Sequence, residues 1–322
     1  RSDSPGGAHS IGDRLDPRLA FGEGWATAFA AMALDDPLYC DTGVAGAAAG
    51  FGIGAESGSY DARGWYDEIS VLRFIYDMFD STDEGGDSVS IGFTPIYEVM
   101  TDPQSTTEAF TTVFSFATAL RQQLNAADQL GLDAQLSRED MTPDGLDIWG
   151  TLETNDANGS PGVLPIYTDI TADGAPSQIC VNSRVGNQSD SNRDGNKLAE
   201  YRYLRTNISS PSRYRIELDT VNPPSIPPPE YDCTTAPDTD PNIHLHSDPD
   251  LVILGNGVPA LPFPEGLSCV PNSEVATTIV LAAGTYVLAV NEFRFADSES
   301  PVDFPSPGET EVCFNITMQA IN

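Results

Sequence analysis

Residues 21–32, FGEGWATAFAAM, decide the reading of this chain. They set one carboxylate, Glu23, into a run of small and apolar residues. Just upstream, Asp16-Pro17 is a helix start, a side-chain acceptor at the N-cap followed by proline at the first helical position. Leu19, Ala20, Phe21, Trp25, Phe29 and Met32 leave that helix little polar surface, so it is expected to be buried. A carboxylate in such a setting needs a cation or several hydrogen-bond donors. A glutamate in the first turn also gains from the helix dipole, and that alone accounts for its presence.

The bulk properties narrow the function classes. A chain of 322 residues holds one large or two ordinary domains. Lys and Arg total 15 against 48 Asp and Glu, a formal charge of −33. Such a field repels nucleic acid and anionic lipid, so neither is expected as a partner, whereas it favours cations. No apolar run is long enough to span a bilayer. The first residue is Arg1 with no leader-like stretch, as expected of a processed product.

The five cysteines, Cys40, Cys180, Cys233, Cys269 and Cys313, are well separated and form no CxxC pair. That usage fits disulfides in a secreted, extracellular or cell-surface protein. Cys233 and Cys269 flank one loop-rich segment and are the preferred pair. The odd number leaves one thiol free or joined to another polypeptide.

The first part of the chain reads as helices. Residues 64–80 carry a helical stripe of Trp65, Ile69, Leu72, Ile75, Tyr76 and Phe79. Pro95 opens a short helix over 94–100, and Ser105 with Glu108 starts a long one over 105–127. Near residue 140 the composition turns to Gly, Pro, Asn, Asp and Ser, a sign of long loops with short strands. From residue 199 a period of two takes over, with strands expected near 201–204, 214–218, 250–254, 277–281, 285–291 and 312–318. Pro223 to Pro229 (PPSIPPP) excludes a central strand. The expected fold class is α+β: a helical subdomain over 1–140, a loop-rich connection over 141–198 and an antiparallel β-sandwich over 199–322.

Two stretches resemble known families. Glu23-Gly-Trp-Ala-Thr-Ala-Phe-Ala resembles the second zinc-ligand helix of gluzincin metallopeptidases, where a Glu-Gly-aromatic-Ala segment supplies the third ligand. The wider RSDSPGGAHSIGDRLDPRLAFGEGW is similar to a group of secreted bacterial proteins in which an HExxH helix precedes it. The resemblance implies Glu23 as a zinc ligand, with two histidines and the general base on that HExxH helix. These 322 residues contain no HExxH, so an upstream fragment of the same precursor is the implied partner. Further on, 248–254 (DPDLVIL), 281–290 (LAAGTYVLAV) and the closing CFNITM look like a pre-peptidase C-terminal domain, a β-sandwich appended to secreted peptidases.

Other residues offer polar chemistry. His9, Tyr60 and Tyr66 are candidates for a donor beside Glu23, since peptide hydrolysis needs one for the developing oxyanion. Asp190, Asn192 and Asp194 match the opening of a calcium loop, though Tyr201 holds its twelfth position and ordinary turn chemistry explains the same residues. His244 and His246 form an HxH pair able to chelate a metal, or simply a polar loop entering a strand. The sequence thus supports the C-terminal part of a secreted zinc metallopeptidase-like protein whose active site is incomplete in this chain. The alternative is a non-catalytic extracellular structural or adhesive subunit, of a surface layer or filament, built on that scaffold.

Overall fold

The computed structural model describes residues 3–42, 49–56, 62–81, 89–186, 195–223, 247–255, 258–259, 272–296 and 311–321. Chain contacts divide it into two units. The first comprises residues 1–5 and 10–159, the second residues 6–9 and 160–322. The protein is α+β.

The first unit is mainly helical: α1 (Pro17–Leu34), α2 (Glu68–Phe79), α3 (Phe93–Thr101), α4 (Pro103–Thr106), α5 (Val113–Gln123) and α6 (Ala126–Arg138). A hairpin of β1 (Leu38–Thr42) and β2 (Gly50–Gly54) follows α1. α1 starts where its sequence signal lies, and that start makes Glu23 its seventh residue, beyond the first turn expected for it. The Asp16 carboxylate accepts from the Arg18 backbone N–H at 2.9 Å and binds the Arg18 guanidinium through both oxygens, at 2.9 Å each. The guanidinium in turn lies 5.0 Å from the Phe110 ring centroid. This buried pair keeps an arginine inside an aromatic core without an unmatched charge. Leu19, Phe21, Trp65, Phe74, Phe110 and Phe116 are among the buried residues of that core.

Three expectations for this unit change. The stripe over 64–80 becomes a helix only from Glu68, because Asp67 caps it, its carboxylate accepting from the Ser70 N–H at 2.9 Å. The single helix expected over 105–127 is broken. Ser105 lies inside the short α4, a Thr112–Ser115 capping box starts α5, and Asn125 caps a separate α6. α1 is not buried all round. Gly24, Ala28 and Ala31 face inward, while Phe29 and Leu34 are exposed.

The second unit carries two sheets. One is β3 (Tyr167–Asp169), β5 (Tyr201–Ile208), β10 (Gly284–Glu292), β7 (Pro249–Gly255) and β8 (Val258–Pro259), in that spatial order. The other runs β4 (Ser177–Asn182), β11 (Glu311–Ile321), β6 (Arg213–Thr220) and β9 (Ser273–Thr277). A short α7 (Phe293–Ala296) follows β10. Alternate residues of both sheets meet in one core, including Leu204, Ile253 and Leu288 from the first and Val181, Ile216, Phe314 and Ile316 from the second. The pairing is mixed rather than wholly antiparallel, since β3 runs parallel to β5. The strand expected over 277–281 ends at Thr277; beyond it Leu281 keeps only a bridge to Ser212.

β4 and β11 are stapled by the disulfide Cys180–Cys313, which joins residues directly opposite in register. Cys40 is a free, exposed thiol on β1. The preferred pair Cys233–Cys269 lies outside the described residues.

Candidate functional site

The site is built where α1 crosses α2. Gly24 sets the approach: a Cβ added there would stand 2.6 Å from the Glu68 carbonyl oxygen and 2.7 Å from Val71 Cβ. Only a residue without a side chain allows this crossing. The close approach brings the neighbouring carboxylates together, Glu23 on α1 and Glu68 on α2, with oxygens within 4.8 Å of each other. Glu23 is partly exposed and Glu68 buried. Two carboxylates this close gain from a divalent cation or a shared proton between them. Their oxygens suit zinc as oxygen ligands and suit harder cations as well.

The chain leaves α1 through Asp35, whose φ of 52° is left-handed, and turns into β1. There Tyr39 comes within electrostatic reach of Glu23. Its phenol is raised above the ordinary tyrosine pKa, first by burial, then by its hydrogen bond to Asp41, the Asp41 charge and the Glu23 charge. The hydroxyl donates to Asp41 Oδ2 at 3.0 Å. A phenol held protonated is a hydrogen-bond donor, the type of group sought beside Glu23. Sequence reasoning missed Tyr39, which reads as an ordinary strand residue; the signal is the turn Leu34-Asp-Asp-Pro37 that ends the helix just before it.

Next to Glu68 in the sequence is a second buried acid. Asp67 is raised to about 6, mainly by burial, against the lowering effect of its bonds to Ser70 and with a smaller rise from the Glu68 charge. Its Oδ2 also accepts from the Ser70 hydroxyl at 3.0 Å, while Oδ1 finds no hydrogen-bond partner among the described residues. Glu139, at the end of α6, is likewise raised by burial, although Ser70, Arg73, Arg63 and Arg138 pull it down.

Two other sequence candidates, Tyr66 and His9, have hydrogen-bond partners of their own. The Tyr66 hydroxyl donates to Asn155 Oδ1 at 3.2 Å, and Asn155 Nδ2 donates to the carbonyls of Arg63 and Asp140 at 3.0 and 2.9 Å. That network ties a loop to the helices, and Tyr66 is engaged in it. His9 belongs to the second unit, in a segment whose backbone is gripped by Asn196 and Lys197. Asn196 Nδ2 donates to the Gly6 and Ala8 carbonyls, and Lys197 Nζ to that of Ala8. His9 Nδ1 lies 3.1 Å from the Gly7 carbonyl, which can only accept. The neutral ring therefore carries its proton on Nδ1 and a lone pair on Nε2, the form that ligates metals. Tyr60, Asp190, Asn192, Asp194, His244 and His246 lie outside the described residues.

No protein-family model matches the chain. No curated protein matches it either. Two solved structures resemble it in part. One is the pre-peptidase C-terminal domain of a collagenase from Bacillus anthracis, 9% identical over 47% of this chain and 93% of that domain, with a TM-score of 0.26. The other is CorA, a surface-associated copper-binding protein important in copper acquisition by Methylomicrobium album BG8, 11% identical over 48% of this chain and 98% of that one, with a TM-score of 0.28. Among the described residues no helix is long and apolar enough to cross a membrane.

Proposed function

We propose that the helical unit is metallopeptidase-like and that Glu23 serves it as a zinc ligand. The observation that carries this reading is the meeting of the Glu23 and Glu68 carboxylates at the Gly24 crossing, within the segment that resembles a gluzincin ligand helix. Bound there, zinc would polarise a peptide carbonyl and lower the pKa of a water molecule. Glu23 would ligate it, and Glu68 would add negative charge beside the ligand. Two histidines and the general base would come from an HExxH segment upstream in the same precursor, because the 322 residues hold no such motif. On this reading the second unit is a pre-peptidase C-terminal-like β-sandwich, and the protein works outside the cell. The Cys180–Cys313 disulfide supports the oxidising location.

Protein purified from its natural source, subjected to intact mass spectrometry and elemental analysis, should show stoichiometric zinc and an accompanying HExxH-bearing polypeptide or a longer chain containing one. Material carrying neither would refute the catalytic reading.

A second reading, an extracellular structural or adhesive subunit, is favoured by one edge of the second unit. β9 is an outer strand, and Ile279 and Val280 just beyond it are 51% and 62% exposed. Such an edge accepts a strand from a neighbouring copy. A concentration-dependent rise in size on gel filtration supports this assembly, and a monomer at all concentrations refutes it.

A further inference from the structure

The first unit carries an exposed file of aromatic rings that the metal reading does not use. Trp25 and Phe29 of α1, then Phe93 and Tyr97 of α3, follow one another with ring centroids 5.8, 6.0 and 5.4 Å apart. Phe29, Phe93 and Tyr97 are 40%, 36% and 47% exposed, and the last two rings are stacked. Trp25 is braced from behind by Phe116 at 6.3 Å. Neither the Trp25 indole N–H nor the Tyr97 hydroxyl makes a hydrogen bond among the described residues, so each end of the file offers a polar handle. A contiguous exposed aromatic strip of this kind is a mark of a binding surface rather than of chance exposure.

Charge selects the partner. Residues 19–62 and 74–120, which carry all four rings, contain no Lys, Arg or His. Glu98 directly follows Tyr97 and Asp102 closes α3, both exposed. The rings therefore sit on purely acidic stretches of a chain with formal charge −33. A cation that also presents a flat face satisfies both features, and the guanidinium of arginine does so. Consecutive rings are spaced close to the roughly 6.6 Å advance of two residues in an extended chain. We infer that the Trp25–Phe29–Phe93–Tyr97 file is a docking surface for an extended polypeptide segment bearing arginines at alternate positions. The arginines would lie over the rings, with Trp25 and Tyr97 donating hydrogen bonds to backbone carbonyls of the bound segment.

The test uses the full chain without added metal, so failure here leaves the zinc reading standing. A fluorescently labelled decapeptide of alternating Arg and Thr is titrated by anisotropy, beside its Lys-Thr counterpart and unlabelled cellohexaose as competitor. The Arg peptide should bind, and the Lys peptide should bind several-fold more weakly, because a point charge stacks poorly. The double substitution Phe93→Ala with Tyr97→Ala should weaken Arg-peptide binding about tenfold, the loss of two exposed ring contacts. Phe93→Leu with Tyr97→Leu keeps apolar bulk and guards against a folding artefact; it should lose the same preference for Arg over Lys. Equal affinity for both peptides, or affinity unchanged in both double variants, would mean a diffuse electrostatic attraction and overturn the proposal. Displacement of the peptide by cellohexaose would assign the rings to carbohydrate and overturn it equally.

Discussion

Gly24 and Glu68 meet backbone to backbone: the position of a Cβ on Gly24 is 2.6 Å from the Glu68 carbonyl oxygen. The Glu-Gly pair on α1 therefore has two separable tasks. Glu23 presents a carboxylate, and Gly24 lets α2 come close enough for Glu68 to join it. Gly24→Ala should destabilise the helical unit by about 1–3 kcal/mol, the range for overpacking against atoms that cannot swing away. Gly22 is the internal control. Its nearest neighbour is Ser4, at 3.8 Å, so Gly22→Ala should be neutral or stabilise by about 0.5–1 kcal/mol through helix propensity. All three tryptophans, Trp25, Trp65 and Trp149, lie in this unit, so urea unfolding followed by tryptophan fluorescence reads it selectively.

The carboxylate pair makes a prediction about metal. With the Glu23 and Glu68 carboxyl groups side by side, a divalent cation that binds them stabilises the folded state by mass action, about 2.7 kcal/mol at one hundred times the dissociation constant. Zinc should raise the thermal midpoint of the wild-type chain, and Glu23→Gln should abolish most of that rise. In metal-free buffer the same substitution should leave the midpoint unchanged or slightly higher, because it removes a like-charge neighbour of Glu68. A zinc-induced shift that survives in Glu23→Gln would place the cation elsewhere.

Buried carboxyls give the protein a pH dependence of definite sign. Asp67 is raised to about 6 and Asp250, in the second unit, to about 7, the latter by burial and then by the charge of Asp248. Each folded value lies above the ordinary aspartate value, so the folded state binds the proton more tightly than the unfolded chain. The stabilisation is complete below about pH 4 and is lost as the pH rises through about 6 for Asp67 and about 7 for Asp250. For Asp67 the swing is about 3 kcal/mol, at 1.4 kcal/mol per unit. Asp67→Asn keeps an acceptor for the Ser70 N–H, and should flatten the change in tryptophan-detected stability between pH 4.5 and 7.5. An unchanged slope would assign the effect to another group.

Local signals were legible and distant ones were not. Asp16-Pro17 marked the start of α1 because capping involves only adjacent residues, and Arg18 closes the same short loop. Glu23 stood out by its own surroundings. Its neighbour Glu68 did not, since their meeting depends on two helices crossing at a glycine more than forty residues from the second carboxylate. Tyr39 needed the left-handed Asp35 to turn the chain, a conformation a single aspartate does not announce. The helix over 105–127 failed because Ser105, Thr112 and Asn125 are all competent caps, and apolar periodicity alone does not choose among them. In the second unit β5, β6, β7, β10 and β11 followed their period-two patterns. β3, three residues long and parallel to its neighbour, offered no periodicity to find.

The disulfide carries the last prediction. Cys180 and Cys313 are 133 residues apart in sequence yet opposite one another on β4 and β11. Cross-linking so long a loop removes conformational freedom mainly from the unfolded chain, about 5 kcal/mol in the chain-entropy treatment and more commonly about 2–4 kcal/mol in practice. Among the described residues β4 pairs only with β11 in its sheet, so the staple also holds that edge in place. The double substitution Cys180→Ser with Cys313→Ser should therefore lower the stability of the β unit by about 2–4 kcal/mol. The tryptophan-detected transition of the helical unit should stay where it was. Calorimetry of the variant, compared with wild type in dithiothreitol, separates the two. The wild type under reducing conditions should match the variant, and a β transition unmoved by either treatment would show that the sheet packing alone fixes this edge.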